Sequence, residues 1–535
     1  MRVGRGQVSS TTVRPRRPRP VAARGSGAFR LILTGAIVVG GVAVAAFVPA
    51  RLFPGDRDAA PRLGPPPATE IGVNLFGLQT YNREQVFANL LAQSEWFGSR
   101  GEGWTPMPAS RLSNRGWIRV LGSGEFAIRP LFVPPTPATM SVRCTFDGRG
   151  RLSTGGVATL TRQEDGVAHL RIAATGAENE GAWLQLDATD PADPVRDLDC
   201  RDIAVPRDRV FDAAFVDSLR GFAAVRFLDW QRVNDNPASR WATRVRPDDG
   251  SQAGPGGVAV EHMVRLANEA QVDPWFIMPY AADDAYIAGF ARYVHDHLAP
   301  GRTAYVELGN EVWNDMFAAS QQARAEGLAA RLAPPGDPYR AQMRRYAQKT
   351  RAAMRIWTQV FADRPGRLVR VAAAHNAYPD TAEMILGFED VARWTDALAT
   401  APYIHLDLNG RGIGDLDAVY AGMDGAIDET LDFAVRNRAI ATRYRKRFIA
   451  YEGGQHLVTR DLPLARLIQR DPRMEGVYAR YLDRWRTRLG DRMMLYASTA
   501  SIGEHGSWGL REYAGQPLAD APKARAVQRF LLGAP

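Results

Sequence analysis

Residues 274–308 read PWFIMPYAADDAYIAGFARYVHDHLAPGRTAYVEL. Two short apolar runs, Pro274–Tyr280 and Thr303–Leu308, flank an amphipathic segment at Asp283–Leu298. Near-continuous apolar runs are typical of parallel strands that are buried on both faces, and the segment between them has the length of a crossover helix. The stretch therefore predicts a strand–helix–strand unit.

The same alternation extends along most of the chain, with a further amphipathic stretch at Tyr339–Asp363. The predicted strands are, in chain order, Ile71–Phe76 (IGVNLF), Phe222–Trp230 (FAAVRFLDW), Pro274–Tyr280, Thr303–Leu308, Leu368–Ala374 (LVRVAAA), Ala397–His405 (ALATAPYIH), Phe448–Tyr451 (FIAY) and Met493–Ser498 (MMLYAS). Eight parallel strands close a (β/α)8 TIM barrel, so an α/β barrel is the predicted fold class. An open doubly wound sheet is the alternative, but no glycine-rich phosphate-binding loop follows the first strand.

One segment, residues 130–206, interrupts this alternation. It lacks helical periodicity and shows alternating apolar and polar residues, as in Val167–Ala173 (VAHLRIA) and Ala182–Leu186 (AWLQL). Alternation of this kind, broken by Gly, Pro, Asp and Thr, indicates antiparallel strands. We therefore expect a small, sandwich-like β insert between two parts of the barrel, 71–129 and 207–535. The insert would either bind sugar or brace the barrel mouth.

The chain has two cysteines, Cys144 and Cys200, and both lie inside the predicted insert. Two cysteines are too few for a disulfide scaffold or a four-cysteine zinc site. In an exported protein they can pair and clip the ends of the insert together. Two free, buried thiols are the alternative.

The N-terminal region predicts export. Residues 1–30 form an arm rich in arginine and without acidic residues, and residues 31–50 (LILTGAIVVGGVAVAAFVPA) contain no charge. Twenty apolar residues are about enough to cross a bilayer, and the basic arm should stay cytoplasmic. We expect a single-pass inner-membrane anchor, with residues 51–70 as a Pro-rich linker and the globular domain that follows on the periplasmic or extracellular side. A cleaved signal peptide is the alternative.

Taken alone, the net charge of +9 suggests a nucleic-acid partner, but its distribution along the chain argues against one. Residues 1–51 contain nine of the 67 basic residues and no acidic residue, which leaves 58 basic and 58 acidic residues for the rest of the chain. The predicted globular part is therefore neutral overall. Nucleic-acid-binding domains are usually basic, so we expect no nucleic-acid partner.

Two predicted strands end in a carboxylate. Glu311 follows the fourth strand in the stretch YVELGNEVWN, and Glu452 follows the seventh in FIAYEGGQH. Functional residues of a barrel lie at the carboxyl ends of its strands. Cleavage of a glycosidic bond needs two carboxyl groups, one to protonate the departing oxygen and one to attack the anomeric carbon or activate water. This pair predicts a carbohydrate substrate.

The motifs ELGNEVWN and YEGGQH together resemble those of clan A glycoside hydrolases, which are retaining (β/α)8 barrels. The resemblance covers about 71–129 and 207–515, and it implies an acid/base on strand 4 and a nucleophile on strand 7. The residues that match these and other positions of the clan are Glu311 (acid/base), Glu452 (nucleophile), Asn310 (partner of the sugar 2-hydroxyl), Arg226 (strand 2), Tyr403 (contact of the nucleophile) and Trp508 (floor of the sugar site).

Other residues near strand ends are weaker candidates. His375 ends strand 5, while Asp229 and Trp230 end strand 2, and all three could contact substrate. Glu307 lies within strand 4, where a carboxylate needs a buried arginine partner, and we expect it to support the site. His405 and His456 follow strands 6 and 7 but lack the tight ligand spacing of a zinc site, so we expect no metal and no other cofactor.

Two functions are compatible with these observations. The first is a membrane-anchored, exported, retaining glycoside hydrolase that acts on a polysaccharide or oligosaccharide. The alternative is a catalytically inactive barrel that binds glycan and scaffolds a polysaccharide secretion or envelope complex. The presence of both Glu311 and Glu452 favours the enzyme.

Overall fold

The computed structural model describes residues 70–79, 83–98 and 105–533. The predicted N-terminal arm, the apolar segment 31–50 and almost all of the linker lie outside these residues. Among the residues that are described, no helix is both long and apolar enough to cross a membrane.

The secondary structure consists mainly of nineteen strands and ten α-helices in the described part of the chain. The strands are β1 (Ile71–Asn74), β2 (Phe97–Gly98), β3 (Thr105–Pro106), β4 (Ala127–Leu131), β5 (Ala138–Asp147), β6 (Gly150–Gly156), β7 (Ala158–Glu164), β8 (Val167–Ala174), β9 (Ala182–Thr189), β10 (Arg196–Asp202), β11 (Ala224–Arg226), β12 (Asp273–Met278), β13 (Ala304–Leu308), β14 (Leu368–Ala373), β15 (Ala397–Thr400), β16 (Tyr403–His405), β17 (Arg447–Ala450), β18 (Gly454–His456) and β19 (Met493–Leu495). The helices are α1 (Ala213–Ser218), α2 (Val260–Ala270), α3 (Asp284–His297), α4 (Ala318–Ala329), α5 (Pro338–Val360), α6 (Asp380–Leu386), α7 (Leu416–Arg443), α8 (Leu462–Arg470), α9 (Arg473–Arg488) and α10 (Pro522–Leu531).

Eight parallel strands form a closed barrel in the order β1-β11-β12-β13-β14-β15-β17-β19. Its strands are buried almost throughout, and helices follow them on the outside, as expected for parallel strands covered on both faces. The predicted α/β barrel is confirmed. All eight carboxyl ends meet at one face, where side chains from distant parts of the sequence come together.

Local capping interactions set where several of the outer helices begin. The carboxylates of Asp283, Asp337 and Asp461 each accept a hydrogen bond from a backbone N–H in the first turn of α3, α5 and α8. Capping of this kind satisfies N–H groups that have no partner within the helix. The predicted helix at 283–298 thus begins one residue later, after its cap.

One predicted strand is divided in two. The run Ala397–His405 forms β15, which belongs to the barrel, and β16, which pairs with β18 in a separate two-stranded parallel sheet. Pro402 lies between the two parts, and proline cannot donate a backbone hydrogen bond to a neighbouring strand. The small sheet extends beyond the barrel strands and carries Tyr403 close to the end of β17.

The insert consists of two antiparallel sheets, with strand orders β10-β5-β8-β7 and β3-β2-β4-β9-β6. The second sheet includes β2, β3 and β4, which begin at residues 97, 105 and 127, so it starts before the predicted boundary at residue 130. A disulfide joins Cys144 of β5 to Cys200 of β10, which are directly opposite each other. The predicted pairing of the two cysteines is present, and both side chains lie in the core of the insert.

The insert is held against the carboxyl face of the barrel. Arg129 of β4 is fully buried, and its Nη2 donates to the carbonyls of Leu91 and Ser94 over 2.7 and 3.0 Å and to that of Gly250. These carbonyls belong to the segments that follow β1 and β11. On another side, Glu178 of the insert pairs with Arg466 of α8 over 3.1 Å. These contacts brace the loops around the barrel mouth.

Candidate active site

Arg226, the last residue of β11, is the centre of a buried hydrogen-bond network at the carboxyl face. Its side chain is fully buried. Nη1 donates to Glu452 over 2.8 Å and to Asn74 over 3.0 Å, and Nη2 donates to Glu307 over 2.6 Å and to Asn310 over 2.9 Å. Although burial favours loss of the charge, the Glu307 and Glu452 carboxylates raise the pKa of Arg226 above its usual value. The guanidinium stays charged and fixes four side chains from three other strands.

Glu452 follows β17 and is held on both carboxylate oxygens. Oε1 accepts from Arg226, and Oε2 accepts from the phenol of Tyr403 over 2.9 Å. Its side chain is 8% exposed, so it retains access to the barrel mouth. Charge-assisted hydrogen bonds of this kind stabilise a carboxylate. The arrangement presents an oriented, anionic oxygen to the cleft.

Glu307 is a carboxylate within β13 that has no exposed surface. Besides Arg226, it accepts a hydrogen bond from the indole of Trp275 over 2.8 Å. Burial raises its pKa, while Arg226 and Trp275 oppose the shift. The buried arginine that a mid-strand acid requires is therefore present. Glu307 orients Arg226 and does not reach the cleft.

Glu311 lies in the turn after β13, with a left-handed backbone φ of 43°. Such a φ is rare for residues other than glycine and indicates a conformation that the surroundings impose. Oε1 accepts from the phenol of Tyr451 over 3.2 Å, and Oε2 accepts from Asn314 over 2.9 Å. Burial, with the negative charge of Glu452 as the second cause, raises the pKa of Glu311 to about 7. Its carboxyl group is thus suited to hold a proton near neutral pH.

Asn310 and Asn74 are amides that complete the network. Asn310 accepts from Arg226 and donates to Asn234 over 3.0 Å. Asn74, at the end of β1, donates to the carbonyl of Tyr451 over 3.1 Å. Asn74 is absent from the sequence-based candidates, although a buried polar residue at the end of an apolar strand is a usable signal.

The two residues predicted at the end of strand 2 have different environments. Asp229 accepts a hydrogen bond from the phenol of Tyr496 over 2.9 Å, and burial raises its pKa to about 6, with Glu452 as a further cause. Trp230 is 1% exposed and packs among aromatic rings of the core, including Phe211 and Phe227. A substrate-binding role for Trp230 is therefore wrong, because no face of its ring is open to a ligand.

Aromatic rings line the side of the site near Glu452. The centroid of the Trp508 ring lies 5.8 Å from that of Tyr496 and 6.1 Å from that of His456. The His456 ring in turn lies 5.5 Å from the ring of Tyr403. The structure thus brings the predicted residues Tyr403 and Trp508 into one cluster, and it adds Tyr496, which lies within the predicted eighth strand and directly follows the observed strand β19.

His375 lies beyond the end of β14. Its imidazole stacks on the indole of Trp313 with a centroid distance of 3.9 Å and an angle of 6° between the rings. Burial lowers the pKa of His375 to about 4. The imidazole is therefore neutral in the ordinary pH range.

Within residues 70–79, 83–98 and 105–533, no group of three or more His, Cys, Asp or Glu side chains is arranged to hold a metal ion. The acidic side chains at the mouth are instead committed to Arg226, Tyr403, Tyr451 and Asn314.

No protein-family model and no curated protein matches the chain. Among solved structures it is similar to the GH51 arabinofuranosidase from Xanthomonas axonopodis pv. citri, with 13% identity, a TM-score of 0.32, and coverage of 56% of this chain and 63% of that one. It is also similar to a β-glucosidase from Thermotoga maritima in complex with castanospermine (10% identity, TM-score 0.31, 59% and 84% covered). A third is a Cellulomonas fimi endo-β-1,4-mannanase double mutant (12% identity, TM-score 0.33, 57% and 63% covered). Likeness at this level carries no argument about the activity of this chain.

Proposed function

We propose that the protein is a retaining glycoside hydrolase that cleaves glycosidic bonds of a polysaccharide or oligosaccharide. The observation that carries this proposal is the contrast between two carboxyl groups at one barrel mouth. Glu452 is fixed by a guanidinium and a phenol, whereas Glu311 accepts hydrogen bonds from the neutral groups of Tyr451 and Asn314 and has a pKa raised to about 7. Two carboxyl groups whose surroundings differ in this way can hold different protonation states. One can then act as an ionised nucleophile and the other as a protonated acid.

In the first step, Oε2 or Oε1 of Glu452 attacks the anomeric carbon and the bond from that carbon to the leaving oxygen breaks. Glu311 donates its proton to the departing oxygen. The product is a glycosyl ester on Glu452 and a released alcohol. Arg226 and Tyr403 keep the Glu452 carboxylate oriented before the attack.

In the second step, Glu311 removes a proton from water as the water oxygen attacks the anomeric carbon. The ester bond to Glu452 breaks, and the carboxylate is restored. The change in the charge of Glu452 favours this change of Glu311 from acid to base. Once Glu452 is esterified it carries no charge, so one of the causes that raise the pKa of Glu311 is absent and the group becomes a better base.

Other side chains at the mouth suit the sugar that is attacked. Asn310 lies beside Glu311 and is oriented by Arg226, which suits it to bind the 2-hydroxyl. Trp508 offers a partly exposed aromatic ring on which a sugar can stack. The Asp229–Tyr496 pair supplies a further acceptor and donor nearby.

The test is a screen of the full-length protein in detergent against 4-nitrophenyl β-glycosides and bacterial exopolysaccharides. We expect release of 4-nitrophenolate from at least one glycoside and, by proton NMR, a first-formed product with the anomeric configuration of the substrate. The matched control is Glu269→Gln, which removes an exposed helical carboxylate that pairs with Arg265, and which should leave the rate unchanged. Inversion at the anomeric carbon would contradict the double-displacement mechanism. Glycan binding without turnover would favour the inactive scaffold instead.

We also propose that residues 31–50 anchor the protein in the inner membrane with the barrel outside the cytoplasm. The support is the sequence alone, namely an uncharged apolar segment that follows an arginine-rich arm. Alkaline phosphatase fused after Pro535 should be active, and the mature protein should keep its N-terminal arm. A soluble mature form that begins near Arg51 would indicate a cleaved signal instead.

A further inference from the structure

The stacked pair formed by Trp313 and His375 has no role in the two chemical steps described above. The two rings are almost parallel, with centroids 3.9 Å apart. Stacking of this kind fixes the plane of the imidazole. Both rings are partly exposed, so the pair does not belong to the closed core.

The position of the pair relates it to Glu311 and not to Glu452. Trp313 is two residues beyond Glu311 in the same turn, and His375 follows β14, the strand that pairs with β13. The groups around Glu452 instead come from β11 and β16. In a double displacement, the acid contacts the glycosidic oxygen, and the sugar released with that oxygen must extend from the acid.

His375 also has unused hydrogen-bonding capacity. Within the described part of the chain, neither ring nitrogen of His375 has a hydrogen-bond partner, and neither is closed off from solvent. A neutral imidazole has one N–H donor and one acceptor nitrogen, the same combination that a sugar hydroxyl offers. Because burial keeps the imidazole neutral, it provides no charge for a carboxylate or sulfate group.

We propose that Trp313 and His375 form the subsite for the leaving-group sugar, in which the fixed imidazole of His375 binds hydroxyl groups of an uncharged sugar. This inference rests on the proposed function and adds the class of sugar on the leaving side. It also predicts that the subsite binds an incoming sugar when the glycosyl-enzyme transfers its glycosyl group to an alcohol.

Transfer of the glycosyl group from Glu452 to an added sugar tests this subsite separately from the first chemical step. A 2,4-dinitrophenyl 2-deoxy-2-fluoro-β-glycoside, with the sugar identified in the screen, forms a long-lived ester on Glu452 without needing a leaving-group sugar or a proton. Excess reagent is removed, and methyl β-D-glucopyranoside or sodium β-D-glucuronate is added. The acceptor hydroxyl oxygen attacks the anomeric carbon, its proton passes to Glu311, and the ester bond breaks. Return of activity measures occupation of the subsite.

We expect methyl β-D-glucopyranoside to restore activity in a saturable manner in the native protein and to do so better than glucuronate. His375→Ala should slow this return about tenfold, as expected for the loss of hydrogen bonds to substrate. The rate of ester formation should stay the same. His375→Gln, which keeps a donor and an acceptor, should recover part of the effect. The control His297→Ala removes a similar stack, 4.0 Å from Tyr293 on α3, and should change nothing.

The possible failures are distinct. Equal return of activity in His375→Ala and the native protein would overturn the subsite, and a preference for glucuronate would overturn the choice of an uncharged sugar. If no glycoside forms an ester on Glu452, the retaining mechanism is wrong and the inference is withdrawn with it.

Discussion

The phenol of Tyr451 donates a hydrogen bond of 3.2 Å to Oε1 of Glu311, although the two residues are 140 positions apart in the sequence. Tyr451 immediately precedes Glu452, so the strand end that carries one carboxyl group also orients the other. The Tyr451 ring also lies next to Arg226, with 5.1 Å between the ring centroid and the guanidinium carbon Cζ. Glu311 and Glu452 are therefore linked through shared neighbours, Tyr451 and Arg226.

Replacement of Glu452 tests the nucleophile. Glu452→Gln keeps the size of the side chain and its contact with Tyr403 but removes the attacking carboxylate. We expect turnover to fall on the order of 10⁴-fold or more on every substrate, as when other covalent nucleophiles are removed. The initial rate of 4-nitrophenolate release measures this. Near-normal turnover would show that another group attacks, and the buried position of Glu307 makes it a poor substitute.

Replacement of Glu311 should have a more selective effect. Glu311→Ala removes the proton donor, so glycosides with poor leaving groups should lose about 10²–10⁴-fold in rate. Dinitrophenyl glycosides need no proton and should still form the ester. Azide attacks the ester without a general base, so added azide should restore turnover and yield a glycosyl azide of retained configuration. Lack of azide rescue, with the variant folded by circular dichroism, would contradict the assigned role.

The pH dependence of kcat/KM offers a further check on Glu311. The proton that leaves with the product must be present on the free enzyme, and the pKa of Glu311 is raised to about 7 by burial and by Glu452. The rate should therefore fall as pH rises through about 7. Dinitrophenyl substrates should lack this alkaline limb. An identical limb for both substrate types would assign it to another group.

Much of the site is predictable because the carboxyl ends of parallel strands meet at one face of a barrel. Once the strands are recognised from their apolar runs, Arg226, Glu311 and Glu452 must converge, although they are distant in sequence. The buried partner of Glu307 also follows from physical chemistry, since a mid-strand carboxylate needs a cation.

Other features depend on tertiary contacts that no local pattern shows. Trp230 is adjacent to Asp229, but one side chain faces the core and the other faces Tyr496. The sequence pattern at the start of the insert is too short to detect, because β2 and β3 have only two residues each. The stack of Trp313 on His375 requires two separate loops to be adjacent.

Removal of Arg226 should destabilise the fold as well as abolish activity. Arg226→Met leaves the carboxylates of Glu307 and Glu452 buried without their cation, which should cost about 3–5 kcal/mol. Urea unfolding at pH 7 measures this. The control Arg443→Met breaks an exposed pair with Glu383 and should cost less than about 1 kcal/mol. The double variant Arg226→Met, Glu307→Gln should recover part of the loss. Equal effects of the two single variants would contradict the importance of burial.

The disulfide should stabilise the insert. Cys144 and Cys200 enclose a loop with a sequence separation of 56, for which chain entropy predicts about 4 kcal/mol. Replacing both by Ser should therefore lower the unfolding temperature. Because the bond joins neighbouring strands away from Glu311 and Glu452, kcat should be retained below that temperature. Loss of kcat in a folded variant would show that the insert shapes the site more directly.

The raised pKa of Glu311 also predicts a stability that depends on pH. In the unfolded chain the group has a pKa near 4.5, and in the folded protein it is about 7. The folded state thus holds the proton more tightly. The resulting stabilisation is fully present below pH 4.5 and is lost as pH rises through about 7, so ionised Glu311 destabilises the fold at pH 8.

Glu311→Gln removes this cost, since an amide does not ionise. We expect the variant to be more stable than the native protein at pH 8, by up to about 3 kcal/mol, and to differ little at pH 4.5. Thermal unfolding at both pH values measures the difference, with Glu269→Gln, an exposed carboxylate, as the control that should show no such pH dependence. Equal stability at pH 8 would mean that Glu311 ionises in the fold without cost. It would then be a poor proton donor near neutral pH, and the assignment of the acid would be contradicted on grounds independent of any substrate.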